Sequence, residues 1–257
     1  SVTELPSETF AQAGTRTKTV VLVLKKSAPD DSIFMSICED IGFIVKNKKG
    51  VPTKQIVGEN QLIDISNNYI SSIAEERKRR TRVISTAPSC VLLNKKDLVE
   101  YYLTPSFYDA ERISINNIIN DDENRDFEYK SLSEVAILDS KNKSRKKLMV
   151  NDEVRHISLL HVNSKQFTID LQEVLEFEPI SKGTECFEGE VLVSKLNPRI
   201  KRMVVVPHYD KQLVCSNEFE ILVPQKGYNS YELLLMLDSP MVLKQINSLT
   251  SGTSSSH

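Results

Sequence analysis

FEGEVLVSKLNPRIKRMVVVP, residues 187–207, is the stretch whose reading decides the fold. Two apolar, β-branched runs, Glu190–Leu196 and Met203–Val206, flank Asn197, Pro198 and Arg199, a turn signal at hairpin distance. The pattern predicts strand, turn, strand. Lys195, Arg199, Lys201 and Arg202 crowd around that turn with Asn197 among them, so one stiff projection carries several hydrogen-bond donors. Arg and Asn offer the two-pronged geometry that base edges accept, and such a projection suits a DNA groove or its phosphates.

Downstream, Phe219–Val223 reads as another strand, ending at Pro224. Helices are expected at Tyr231–Leu237 and again from Pro240, where Ser239 can cap and Pro240 takes the first helical position. Val242, Ile246 and Leu249 share one face of that last helix, and Gly252 ends it. Upstream, Lys141, Lys143, Arg145, Lys146 and Lys147 form a second cationic cluster in a polar stretch, suited to backbone phosphate contact. Residues 118–126 read as an acidic loop or linker.

In the first half, TVVLVL at Thr19–Leu24 reads as a strand buried on both faces. Asp31 or Ser32 can cap a helix through Ile41, with Ile33, Phe34, Ile37 and Ile41 on one face and Gly42 as its stop. Lys46–Gly50 is a charged loop, and Leu62–Ala74 shows helical spacing in Leu62, Ile65, Tyr69 and Ile73. The charge run EERKRR, Glu75–Arg80, marks the expected boundary between a domain over 1–75 and one over 76–257. Ser85–Leu103 reads as strand then helix. The fold class expected is α/β (mixed α+β), strand-rich in its second half with flanking helices.

At 257 residues with 40% hydrophobic content, the chain can bury a substantial core. Its net charge of -2 gives no global attraction for a polyanion, so a nucleic-acid surface must be a local patch. Cys38, Cys90, Cys186 and Cys215 are scattered, without disulfide or zinc spacing, which fits a reduced cytoplasmic setting. No apolar run approaches the roughly 20 residues needed to cross a bilayer, so no membrane partner is expected. His156 and His161 share no helix face; Cys215 with His208 as base is a poor nucleophile pair because apolar neighbours point to a buried thiol; and Glu173, Glu176 and Glu178 read as a solvated face. The eight glycines are isolated, with no phosphate-cradling motif. No catalytic residue, metal site or resident cofactor is expected in this chain.

Read in order, RHISLLHVN, FEGEVLVSKLNPRIKRMVVVP, LVCSNEFEILVP and YELLLMLDSPMVLKQINSLTSGTSSSH resemble the target recognition domains of type I restriction–modification specificity subunits. That family carries a G-D-V-L-(I/V)-S-(K/R)-L-x-P strand and turn, a C-S-x-E-F strand, a Y-L-x-x-L-L-x-S-P helix and a terminal G-T-S. The likeness covers Tyr129–His257, and Glu190 stands where the family usually has Asp. Upstream, LPSETF with AGTRTKTVVLVLKK, then SIFMSICEDIGFIVKNKKGVP, resembles the C-terminal end of adenine-N6 DNA methyltransferase domains, where such a strand closes the edge of a Rossmann-like sheet. The resemblance implies a sequence-specific reader of double-stranded DNA, partnered by a methyltransferase domain or subunit and by a restriction subunit. S-adenosylmethionine would belong to the parent enzyme, since the family's glycine motif and N-P-P-(Y/F) motif are absent and are expected ahead of Ser1. The family flips an adenine out of the stack while the recognition domain holds its target. The DNA-contacting residues expected are Lys195, Asn197, Arg199, Lys201 and Arg202, with Lys143, Arg145 and Lys146 on the backbone and Gly252, Thr253 and Ser254 beside it. A protein-interaction scaffold that docks a separate methyltransferase or nuclease is the alternative.

Overall fold

The computed structural model describes residues 1–26, 31–48, 50–74, 80–100, 102–121, 128–140, 142–197 and 200–247, except the side chains of 73 and 74. Arg199, Gly252, Thr253, Ser254, Lys141 and most of EERKRR lie outside the described residues, as do 122–127 of the acidic stretch. The fold is mixed α and β. It comprises two compact units, Ser1–Glu123 and Asn124–Gly252.

The first unit contains, in chain order, β1 (Val2–Leu5), β2 (Thr19–Leu22), β3 (Ser32–Ile37), β4 (Ile41–Lys48), β5 (Val51–Asn60), α1 (Leu62–Ala74), β6 (Arg82–Thr86), β7 (Ser89–Asn94) and α2 (Ala110–Ile119). Five of these strands make one sheet in the order β2-β1-β3-β7-β6, with β1 and β3 parallel and the other neighbours antiparallel. Strands from both sides of the 75–80 charge run thus join a single sheet. Phe34 faces a cluster with Leu5, Cys38, Ile41, Ile65, Cys90 and Leu92, while Met35 faces Val2, Leu93 and Tyr108. The two faces of β3 are therefore both covered.

Four expectations for this unit are corrected. The segment expected to be a helix from Asp31 to Ile41 holds β3 and the first residue of β4, because the apolar residues of β3 go alternately to the two faces and a short apolar run does not by itself separate helix from buried strand. TVVLVL is not buried: Thr19–Leu22 is a strand at the sheet edge, and Leu24 is 82% exposed. Lys46–Gly50 is no loop, since β4 runs on to Lys48 and β5 returns from Val51. Ser85–Leu103 holds a β6–β7 hairpin turning at the cis Ala87–Pro88 bond, followed by a 3-10 turn at Lys95–Asp97. The helix expected over Leu62–Ala74 is present as α1.

The second unit contains α3 (Leu132–Val135), β8 (Ala136–Leu138), β9 (Lys147–Leu148), β10 (Val154–Ile157), β11 (Val162–Asn163), β12 (Thr168–Ile169), α4 (Leu171–Glu176), β13 (Gly183–Cys186), β14 (Val191–Ser194), β15 (Met203–Val205), β16 (Gln212–Cys215), β17 (Phe219–Pro224), α5 (Ser230–Leu237) and α6 (Pro240–Asn247). Two four-stranded sheets, β10-β16-β13-β9 and β15-β14-β17-β8, share a core. Strand alternation builds the layers. Leu192, Val204, Phe219 and Ile221 join Leu213, Cys215 and Cys186 between the sheets, whereas Val191, Met203, Val205 and Leu222 meet Leu233, Leu234 and Leu237 of α5. Both faces of β14 are apolar because both are covered. The expected hairpin, the strand at Phe219 and the last two helices are all found. Asn229 caps α5 by accepting from the Tyr231 N–H, and the Glu232 carboxylate accepts from the Asn229 N–H.

Candidate nucleic-acid interface

The β14–β15 ladder pairs Val191 with Val205, Leu192 with Val204 and Val193 with Met203, and extends outward through the Ser194 N–H on the Arg202 carbonyl at 2.9 Å. Residues 195–197 and 200–202 are the described part of the connection between the two strands. Asn197 takes a left-handed φ of 44°, which its short polar side chain tolerates, and its carbonyl accepts from the Ile200 N–H at 3.0 Å. The Ser194 hydroxyl donates to the Leu196 carbonyl, and the Lys195 N–H donates to the Glu218 carbonyl at 2.8 Å. These bonds hold the root of the connection while Lys195 stays exposed.

Lys201 behaves differently. Its φ is 51°, and its Nζ lies 2.7 Å from Asp238 Oδ1 at the C-terminal cap of α5. A carboxylate there faces the negative end of the helix, and the ammonium offsets it. Lys201 therefore pins the turn to α5, with its charge already engaged. Arg202 is half-buried and makes no ion pair among the described residues.

The second cationic cluster divides in the same way. Arg145 is removed from the phosphate-contacting set: its side chain is only 5% exposed, with Nη1 and Nη2 on the two Glu190 carboxylate oxygens at 3.0 and 2.6 Å and Nε on Asp139 at 2.6 Å. Nη1 also donates to the Glu185 carbonyl. Burial works against its charge, but the Glu190 and Asp139 carboxylates outweigh that and hold its pKa above the ordinary arginine value. A guanidinium so committed has nothing left for a phosphate. Lys143 and Lys146 are exposed and carry no ion pair among the described residues, while Lys147 donates to Asn217 Oδ1 at 3.0 Å.

Strand β17 brings the two clusters together. Its first residue, Phe219, pairs with Ser194 at the root of the β14–β15 turn. On its other edge Ile221 accepts from the Asp139 N–H, and Glu220 holds Ser140 at the start of the 140–147 segment. The turn Ser216–Glu218 touches both sides, since Glu218 receives Lys195 and Asn217 receives Lys147 and Thr184. Lys147 and Lys195 thus meet at the Ser216–Glu218 turn, where Glu218 is an exposed acid, with Lys146 beside Lys147 in sequence and Arg202 opposite Ser194. Asn217 and Glu190 were not singled out from sequence as site residues. Asn217 lies in the C-S-x-E-F stretch, and only the strand pairing shows what it joins.

The cysteine and histidine singled out from sequence as a nucleophile pair lie apart. Cys215 is buried against Cys186, whose thiol is pushed well above its ordinary pKa by the Cys215 hydrogen bond and by burial. His208 sits on the surface, paired with Glu188 at 2.8 Å, so the two are not brought together. His156 and His161 are buried edge-on to Phe177. Among the described residues no group of three His, Cys, Asp or Glu could hold a metal, and no helix is long and apolar enough to cross a membrane. Compared with known protein families and with curated proteins, the chain matches none.

Proposed function

We propose that this chain is a sequence-specific double-stranded DNA recognition module of a restriction–modification adenine methyltransferase, with the chemistry carried elsewhere in the enzyme. The observation that carries the reading is the meeting of two cationic segments, distant in sequence, at one end of the second unit around Asn217. Lys143, Lys146 and Lys195 are the phosphate contacts, and Arg202 with Asn197 and Arg199 of the turn would face bases. Lys201 positions the turn through Asp238, and Arg145 stiffens the root of the 140–147 segment. S-adenosylmethionine belongs to the methyltransferase partner in this reading, which places the module in the cytoplasm beside DNA.

The test is salt dependence. The cationic end of the second unit, neutralising about four phosphates, should contribute about -3.6 to the slope of log affinity against log salt for duplex DNA, and K143Q/K146Q/K195Q should make that slope shallower by about 2.7. Selection from a random duplex pool should return a motif, and Arg199→Ala should relax discrimination at one position by about 1 to 3 kcal/mol. Salt-independent binding without a motif would sink the reading. One observation favours the scaffold alternative: Val20, Val21, Leu22, Val23 and Leu24 are all exposed on or beside the edge strand β2, an open place for another protein's strand.

A further inference from the structure

The first unit carries an element that the recognition end of the second unit does not explain. Strands β4 and β5 form a two-stranded ribbon paired from Ile41–Asn60 to Lys48–Val51, outside the five-stranded sheet. Its root is fixed. Asp40 Oδ1 accepts from the Gly42 N–H at 2.8 Å and Oδ2 from the Glu59 N–H at 3.1 Å, so one carboxylate ties the two strands. Arg16 donates to the Val45 carbonyl at 2.6 Å, and Ile41 and Val45 are buried. Beyond Val45, Lys46, Asn47, Lys48, Gly50 and Val51 are exposed.

Its charge is one-sided. The chain has 35 Asp and Glu in 257 residues, yet none falls between Ile41 and Gly58, where Lys46, Lys48, Lys49 and Lys54 all lie. Directly opposed residues of an antiparallel pair share a face. Lys46 with Thr53 and Lys48 with Val51 therefore occupy one face, and Lys54 opposite Val45 the other, where its Nζ stands 4.0 Å from the Phe43 ring centroid. Cations on both faces of a narrow ribbon suit a groove, which offers phosphates on two walls. A flat anionic surface would meet one face only. The major groove of B-DNA, about 12 Å wide, admits a two-stranded β-ribbon.

We infer that the β4–β5 ribbon is a second DNA contact, lying in a groove of the duplex with Lys46, Lys48 and Lys54 on backbone phosphates. It rests on the DNA-reading proposal above but uses different residues in a different unit. The polar side chains at its exposed end, Asn47 and Thr53, are placed to meet base edges or sugars.

The experiment compares the whole chain with K46Q/K48Q/K54Q and with K143Q/K146Q/K195Q, on a mixed-sequence duplex across a salt series. Thermal melts check that each variant folds like the parent, and K46R/K48R/K54R restores charge without restoring lysine. The ribbon variant should bind every sequence more weakly, with a slope shallower by about 2.7, and the arginine variant should recover it. Parental binding by the ribbon variant, together with loss in the other, would overturn the ribbon contact and leave the recognition reading standing. No salt-dependent binding by the parent would end both. Capture of the parent by anionic phosphatidylserine vesicles, with no binding to duplex, would assign the ribbon's charge to a membrane surface and overturn the inference.

Discussion

Arg145 shows how far one residue's meaning depends on its neighbours. In sequence it belongs to a run of cations; in the fold it is buried with Glu190 and Asp139. Taking charges out of water nearly cancels what their pairing returns, so the intact triad adds little net stability, but removing the one cation leaves two carboxylates uncompensated. Arg145→Met should therefore destabilise the fold by about 3 to 5 kcal/mol, read as a lowered urea midpoint. An unchanged midpoint would mean that Glu190 and Asp139 reach water in the native state. His156 and His161 make a second residue-scale case. Burial lowers both pKa values below the ordinary 6.5; repulsion from His161 lowers that of His156 further, and Glu173 and Asp170 favour charge on His161 without overcoming its burial. The Ser158 N–H donates to His161 Nδ1, a bond only the unprotonated nitrogen accepts. The unfolded chain then binds more protons than the native one below pH 6.5, so this contribution is complete above 6.5 and is lost as pH falls toward the lowered native values. Urea midpoints should drop between about pH 7 and pH 5, and less steeply in a His156→Phe variant; equal slopes would show that His156 does not titrate in the fold.

At the scale of elements, legibility followed the number of independent signals. The β14–β15 hairpin had two β-branched runs and a turn between them, and α6 had a cap, a proline at its first position and periodicity, so each was readable alone. β3 had only apolar content. Ile33, Phe34, Ile37 and Ile41 fit a helical stripe in sequence, and it took Met35 packing on the opposite face to show a strand. The ribbon was hidden for a different reason: Gly42 read as a helix stop, although Gly42 and Gly58, both at positive φ, are what lets the two strands close on Asp40. At Gly58 a Cβ would lie 1.9 Å from Asp40 Oδ2, and φ is +77°. Gly58→Ala should therefore cost about 1 to 3 kcal/mol from backbone strain and displace the carboxylate. Amide exchange of Gly42 and Glu59 would report it, and exchange like the parent's would mean that the root does not depend on that carboxylate. For the candidate interface, sequence identified the cations but not which were spent: Lys201 and Arg145 became anchors, and the free ones were recognisable only once β17 had placed the two segments side by side.

At the scale of the whole molecule, two compact units, each with its own buried clusters, carry two cationic surfaces in a chain whose net charge is -2. Attraction to a polyanion must then come from geometry that gathers lysines locally, and that geometry is only as firm as the core beneath it. The second unit's cationic end stands on Phe219 and Ile221, which are 1% and 0% exposed between its two sheets. The ribbon stands on a different cluster that includes Ile41 and Ile65. Ile221→Val removes one methylene from the shared core of the two four-stranded sheets and should destabilise that unit by about 0.5 to 1.5 kcal/mol. Because each unit has its own core, hydrogen exchange should accelerate across β13, β14, β16 and β17 and stay at parental rates in β1, β3 and β7. Acceleration of equal size in both groups would mean that the cores unfold as one, and that a change beneath either cationic surface weakens the other.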